Sequence, residues 1–303
     1  MRRPRLAAAA FACILGVAFP GSATAEDPVF VDWSSLLPGL SGGYDPSSEN
    51  DCKAGRIQCV DGVIREMYQR FEPLAEDCNH DSAFALTYLR TTEEYRRAAV
   101  TPDFFQDVSF VNHEDAVFAS YYFEAYDDWH KNRRSEVPQA WAIAFEAADG
   151  RQVSALGNLF LGMSAHINRD LPYVFEAIGM TKPDGSSRKP DHDKVNTFLN
   201  RVSDELMPEL ARRFDPTVDD GNAPTTVDDM LSFQAIAAMR ESAWRNGERL
   251  TAADTPAERA AVAQSIEEYA ASEAQAIRAA TAYPPLSGGS AARDAYCAVH
   301  HDD

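Results

Sequence analysis

The sequence predicts an all-α protein, and two observations carry that prediction. Apolar residues recur at helical spacing through nearly all of 60–282, and no stretch shows the period-two alternation between turn residues that marks a half-buried strand. A third observation supplies the centre of the fold. The segment Gly157–Pro172, GNLFLGMSAHINRDLP, is apolar nearly all round, and a helix greasy on most faces is a buried one. The expectation is a single domain of about eight or nine helices around a central buried helix at 157–170.

The N-terminus reads as a processing signal. Arg2, Arg3 and Arg5 precede an apolar run from Leu6 to Phe19, and Ala23-Thr24-Ala25 supplies a small-residue cleavage pattern before Glu26. The run is too short for a comfortable membrane span, and no later segment has the length and apolarity of one. Residues 1–25 are therefore expected to be a signal peptide, and the protein to be secreted and not integral to a membrane. Residues 26–58, with Gly, Pro, Ser and Asp clusters, predict an irregular lead-in.

The helical domain is expected over 59–283. Its candidate helices are 60–72, 80–99, 102–131, 137–148, 152–170, 172–178, 192–214, 227–250 and 255–282. Pro102, Pro138 and Pro172 sit where helices begin, while Gly179 and Lys182-Pro183-Asp184-Gly185-Ser186 end one. Helices 102–131, 192–214 and 227–250 are expected to pack around 157–170. The Ala- and Glu-rich stretch 255–282 reads as an outer amphipathic helix. The tail, 284–303, reads as irregular until Cys297 ties it down.

Cleavage removes three arginines and no acids, taking the formal charge from −19 to −22. So acidic a surface repels phosphate backbones, and no nucleic acid is expected as a partner. The pairs Arg96-Arg97, Arg133-Arg134 and Arg212-Arg213 read as solvated helix faces. Four cysteines remain, Cys52, Cys59, Cys78 and Cys297, an even count that in an exported protein reads as two disulfides. A helix over 60–77 would hold Cys59 and Cys78 roughly 28 Å apart, which favours Cys52–Cys59 with Cys78–Cys297.

Buried polar residues need partners, and the central helix carries His166 and Asp170 one turn apart. Asn158, Gly162, His166 and Asp170 follow at steps of four along one face. Such a pair can grip a zinc ion or form an orienting pair for acid–base chemistry; the bland alternative is a satisfied core histidine with a hydrogen-bonded or capping aspartate. His113 lies near the start of an aromatic-rich helix, beside Glu114 and Asp115, whose positions capping also explains. Glu124 lies three turns on, about 16 Å along the axis. Asp191-His192-Asp193 could bring a further ligand, or serve as cap and first-turn acids. The acidic loop Asp215–Asp229 fails the calcium-loop pattern, with Asp220 where glycine is needed and Thr226 where the bidentate glutamate belongs. There is no nucleophile elbow, His-Glu-x-x-His, P-loop or dinucleotide fingerprint.

Three passages together resemble a family of mostly uncharacterised secreted bacterial proteins. They are Cys59-Val60-Asp61-Gly62-Val63-Ile64 with Cys78-Asn79-His80-Asp81, the Phe-x-x-Tyr-Tyr-Phe-Glu run at Phe118–Glu124, and Ala165-His166-Ile167-Asn168-Arg169-Asp170-Leu171-Pro172. The resemblance covers roughly 50–280 and implies the extent of a domain of unknown function, with no activity to carry over. More distantly, His166-x-x-x-Asp170 is similar to the metal-binding pair of helical zinc-dependent phosphodiesterases such as secreted phospholipase C. That likeness implies zinc and a phosphoester. It stops at this fragment: Trp33 would lie inside the mature chain instead of at its N-terminus, and a second His-x-x-x-Asp pair is missing.

Two functions follow as expectations. In the first, His166, Asp170 and one of His113 or His192 bind zinc, Asp115 or Glu124 is the general base, and a small ester or phosphoester is hydrolysed. In the second, the same residues form a structural polar network in a non-catalytic secreted domain that binds a small ligand or partner.

Overall fold

The computed structural model describes residues 43–219 and 233–303. The leader, part of the lead-in and the start of the helix expected at 227–250 lie outside the described residues. Within them run ten α-helices: α1 (Ile57–Glu76), α2 (Ser82–Ala99), α3 (Val108–His130), α4 (Gln139–Asp149), α5 (Ala155–Ser164), α6 (Leu171–Ile178), α7 (Lys189–Arg213), α8 (Phe233–Thr251), α9 (Pro256–Thr281) and α10 (Ala291–His300). Among these residues there is no strand, only two isolated bridges, and the all-α class stands. No described helix is long and apolar enough to cross a membrane.

Helix starts follow local chemistry. Ser154 caps α5 by accepting from the Gly157 N–H, and Thr255 with Glu258 forms a reciprocal capping box at α9. The helix expected from 102 starts only at Val108, where Asp107 accepts from the Phe110 N–H. Asp103 has a positive φ, and Phe105 turns inward against Tyr95, so the segment before Asp107 is turns. Pro73 does not end α1, which continues to Glu76.

α5, a six-residue π-helix at Ala165–Asp170 and α6 form one continuous rod through the core. A π turn is wider than an α turn and is frequent at functional sites. Here it directly precedes Pro172, which has no N–H to give back to the preceding turn. α2, α4 and α9 pack on α5, while α3, α4, α8 and α9 meet the π turn. Two expectations are corrected. α7 (192–214 in the sequence reading) packs chiefly on α2 and faces the central rod across a cavity. The supposed outer helix α9 is a core element: Ala263, Ala270 and Ala274 are fully buried, and their small side chains let it lie close to α4 and α5.

Gly162 is where the rod touches α2. A Cβ there would stand 2.2 Å from Cγ of Phe84, so Gly162→Ala is expected to cost about 1–3 kcal/mol by overpacking. A denaturant midpoint unchanged from wild type would show that Phe84 simply moves aside.

Both disulfides form as expected, Cys52–Cys59 and Cys78–Cys297. The tail is irregular only as far as Ser290, after which α10 is a helix whose buried Arg293 reaches the core. Arg293 donates to Asn158 Oδ1 at 2.7 Å and to Nδ1 of His80 at 3.0 Å, and His80 Nε2 in turn donates to Asp294. Burial and the neighbouring Arg293 push His80 down to about 4, so it stays neutral in this network. The basic pairs are largely paired at the surface, Arg96 with Asp61, Arg133 with Asp128 and Arg213 with Glu209.

Candidate functional site

His166 and Asp170 are almost fully buried and in direct contact, Nδ1–H of the imidazole donating to Asp170 Oδ2 at 2.9 Å. Asp170 is held from two further sides. Trp141 Nε1 donates to the same oxygen at 2.9 Å, and Arg169 donates to Oδ1 at 3.1 Å. Arg169, equally buried, is also paired with Glu267 of α9 at 2.8 Å. The ring of Phe118 lies flat on the imidazole, 3.5 Å away and within 4° of parallel. This clamp fixes the tautomer: with the proton on Nδ1, Nε2 is left as the acceptor. Burial holds the imidazole below its ordinary value, which favours its neutral form.

His166 is on the wall of a cavity of about 140 Å³ enclosed by α2, α3, the central rod, α7 and α8. Most of the wall is apolar, including Leu159, Ile167, Val195, Phe198 and Val202. The polar side chains His166, Glu114, Asp115 and Tyr88 come from the rod, α3 and α2. Nε2 of His166, Oδ2 of Asp115 and the Tyr88 hydroxyl are buried there with no hydrogen-bond partner among the described residues. Buried polar atoms are nearly always satisfied, and these three border one cavity.

The carboxyls on α3 are strongly perturbed. Burial, then the neighbouring Glu114, raises Asp115 to about 8. Burial raises Glu114 to about 7 against the opposing pull of Arg240. Both line the cavity. They occupy the second turn of α3, so capping does not explain them. At neutral pH Asp115 is therefore a carboxylic acid, able to donate a proton or a hydrogen bond. A neutral imidazole that can accept a proton and an acid that can give one share a single cavity, an arrangement suited to acid–base chemistry.

Because folding holds Asp115 above its unfolded value, its contribution to stability is fully present below about pH 4. That contribution is lost as pH rises through 8. Asp115→Asn is therefore expected to stabilise the protein by about 2–4 kcal/mol at pH 9 while changing little at pH 4. Urea unfolding at the two pH values checks this; equal effects at both would contradict an ionisation origin.

The remaining candidates sit elsewhere. His113 is fully buried, but its Nδ1–H donates to the Cys52 carbonyl at 2.9 Å, on the side of the lead-in loop. His192 accepts at Nδ1 from Arg240 at 3.0 Å and lies between Phe175 and Trp244. Neither lines the cavity, and neither does Glu124. Asp191 is the acid of the first turn of α7, as the sequence suggested, and it accepts from the backbone N–H groups of Gln106 and Asp107, tying the start of α7 to that of α3. Among the described residues no three His, Cys, Asp or Glu side chains are grouped to hold a metal ion.

Sequence reasoning missed Tyr88, Glu114, Trp141, Arg169 and Arg240 as parts of this site. A signal existed for two of them. Arg169 sits in the same greasy helix as His166, and Arg240 interrupts the apolar spacing of α8.

The fold and site thus define an all-helical domain with a buried acid–base pair beside an apolar cavity. The chain belongs to a family of unknown function (DUF5995), whose family model matches residues 60–280. Neither a curated protein nor a solved structure matches it.

Proposed function

We propose that this protein is a secreted hydrolase acting on an uncharged ester of a small, largely apolar molecule. His166, oriented by Asp170, is the general base, and Asp115 is the acid. The observation that carries this reading is the convergence of three unpartnered polar atoms, His166 Nε2, Asp115 Oδ2 and Tyr88 Oη, on one apolar cavity. Nε2 takes a proton from a water as its oxygen adds to the ester carbonyl. The Asp115 carboxyl and Tyr88 hydroxyl hydrogen-bond to the carbonyl oxygen as negative charge develops. Collapse of the adduct expels the alcohol, which leaves with a proton from the imidazolium, and the acid is the second product.

An ester fits better than a phosphoester, since a phosphate anion would enter an apolar space beside Glu114 and Asp115. Zinc at His166 and Asp170 would compete with the hydrogen bonds from Trp141 and Arg169 that hold Asp170, which favours the orienting role over the ligand role. Export is supported by the leader pattern and by the two disulfides, which belong to an oxidising compartment.

The test is hydrolysis of p-nitrophenyl butyrate by tag-free protein. His166→Gln is expected to lower kcat/KM at least about 100-fold. The rate should rise with pH through the depressed ionisation of His166, below 6.5, and fall as Asp115 loses its proton near 8. Wild-type activity that His166→Gln leaves intact would sink the proposal. Activity abolished by chelation and restored by zinc would replace it with a metal-centred one. Tight binding of a small ligand without turnover would favour the non-catalytic reading.

A further inference from the structure

We infer that the cavity holds the acyl half of the substrate, an unsubstituted acyl group of about four carbons, while the alcohol half stays at its mouth. This rests on the hydrolase reading above and adds the substrate class. A volume of about 140 Å³ is that of an apolar cavity that takes one benzene-sized molecule. A butyryl group together with both ester oxygens has about as many non-hydrogen atoms as benzene, so it fills this space. An alcohol larger than methanol then has no room beside it.

The wall places the two halves. Leu159, Leu171, Phe198, Val202 and Ile236 are buried and present only hydrocarbon, which suits the acyl chain. Thr91, Met163 and Leu199 are half-buried on the same wall, so the wall is thinnest there and the alcohol half leaves on that side. Thr91 follows Tyr88 by three positions on α2, and Met163 precedes His166 by three on the rod. The groups that act on the ester are thus one helical turn from the thin part of the wall.

The acyl chain carries no further polar group. Three threonines line the cavity, but each hydroxyl is already spent on its own helix: Thr87 donates to the Ala83 carbonyl, Thr91 to that of Thr87 and Thr92 to that of Tyr88, at 2.7–3.0 Å. What these side chains still offer is a methyl group. Nor is an anion accommodated, since the guanidinium of Arg240 on this wall already donates to Asn196 Oδ1 and to Nδ1 and the carbonyl of His192. The carboxylate released by hydrolysis would also face the carboxyls of Glu114 and Asp115, which favours its departure.

Two measurements test this on the whole protein. In calorimetric titration, 2-pentanone and cyclohexanone, ketones of about benzene size, should bind. 2-Undecanone and the two-ring 1-tetralone should bind at least about tenfold more weakly than 2-pentanone. Transfer out of water alone would favour the longer ketone by about fourfold per methylene, so the reversed order reads the size of the cavity. In hydrolysis of p-nitrophenyl esters, kcat/KM should rise about fourfold per methylene from acetate to butyrate. It should be at least about tenfold lower for octanoate than for butyrate. Leu159→Ala, which enlarges the apolar end, should move the preference toward hexanoate, and Val202→Phe, which fills it, toward acetate. Affinity or kcat/KM that keeps rising to 2-undecanone or octanoate overturns the size limit. If butyrate hydrolysis still depends on His166 in that case, the hydrolase reading survives alone. Ketone binding with the expected size limit and no hydrolysis of any ester supports the limit and overturns the hydrolase reading.

Discussion

Removing the Cys78–Cys297 bridge with the double substitution Cys78→Ser, Cys297→Ser is expected to cost about 4–5 kcal/mol. The bridge joins residues separated by 219 positions, so in the chain-entropy picture it constrains most of the unfolded chain. The cost also has a native-state part. α10 carries Arg293 and Asp294 into contact with His80 and Asn158, and without the covalent tie this ten-residue helix must hold its place by packing alone. Withdrawal of Arg293 would leave Asn158 Oδ1 and His80 Nδ1 buried without their donor. The Cys52–Cys59 bridge closes a loop of seven positions and should contribute only about 2 kcal/mol. Urea unfolding of the two double-serine variants checks the order. Equal losses, or a loss under about 1 kcal/mol for the long-range pair, would contradict the account.

Arg169→Met is expected to destabilise the protein by about 3–5 kcal/mol. Arg169 is 1 % exposed and holds two carboxylates, Asp170 at 3.1 Å and Glu267 at 2.8 Å. Its guanidinium also lies 4.8 Å from the centre of the Tyr173 ring. Methionine fills similar space but leaves two buried acids facing each other without a cation. Adding Glu267→Gln to Arg169→Met should recover part of the loss, since one of the stranded charges is then gone. If the double substitution is as unstable as the sum of the two singles, the triad does not act as a unit. The same substitution also bears on the site, because Asp170 would lose one of the contacts that hold it against His166.

Much of the architecture was legible in the sequence because its determinants are local. Helical spacing, the prolines at helix starts and the glycine-rich breaks located α1 to α9 to within a few residues, except where Asp107 moved the start of α3 and at the start of α8, which lies outside the described residues. The disulfide pairing followed from the length of a single helix. The buried helix with His166 and Asp170 on one face was visible because a polar pair in a greasy segment has to be explained. What the sequence by itself determined was thus the helix set, the cysteine partners and the one helix around which a site could form.

Which side chains meet His166 was decided only by the tertiary structure. His113, Asp115 and Glu124 lie on one helix within eleven positions, yet only Asp115 reaches the cavity, because the tertiary packing turns only the stripe of Val111, Glu114, Asp115 and Phe118 toward it. His192 was indistinguishable from a ligand in the sequence, but the buried guanidinium of Arg240 from α8 claims its Nδ1. The π turn left no pattern of its own, since Ala165–Asp170 holds only two apolar residues, Ala165 and Ile167, too few to show a period. α10 was hidden because its apolar residues face a surface assembled from distant parts of the chain. Periodicity reports which face of a helix is buried; it carries no information about the crossing angles that bring two buried faces together. The chemistry of this protein lies at such crossings.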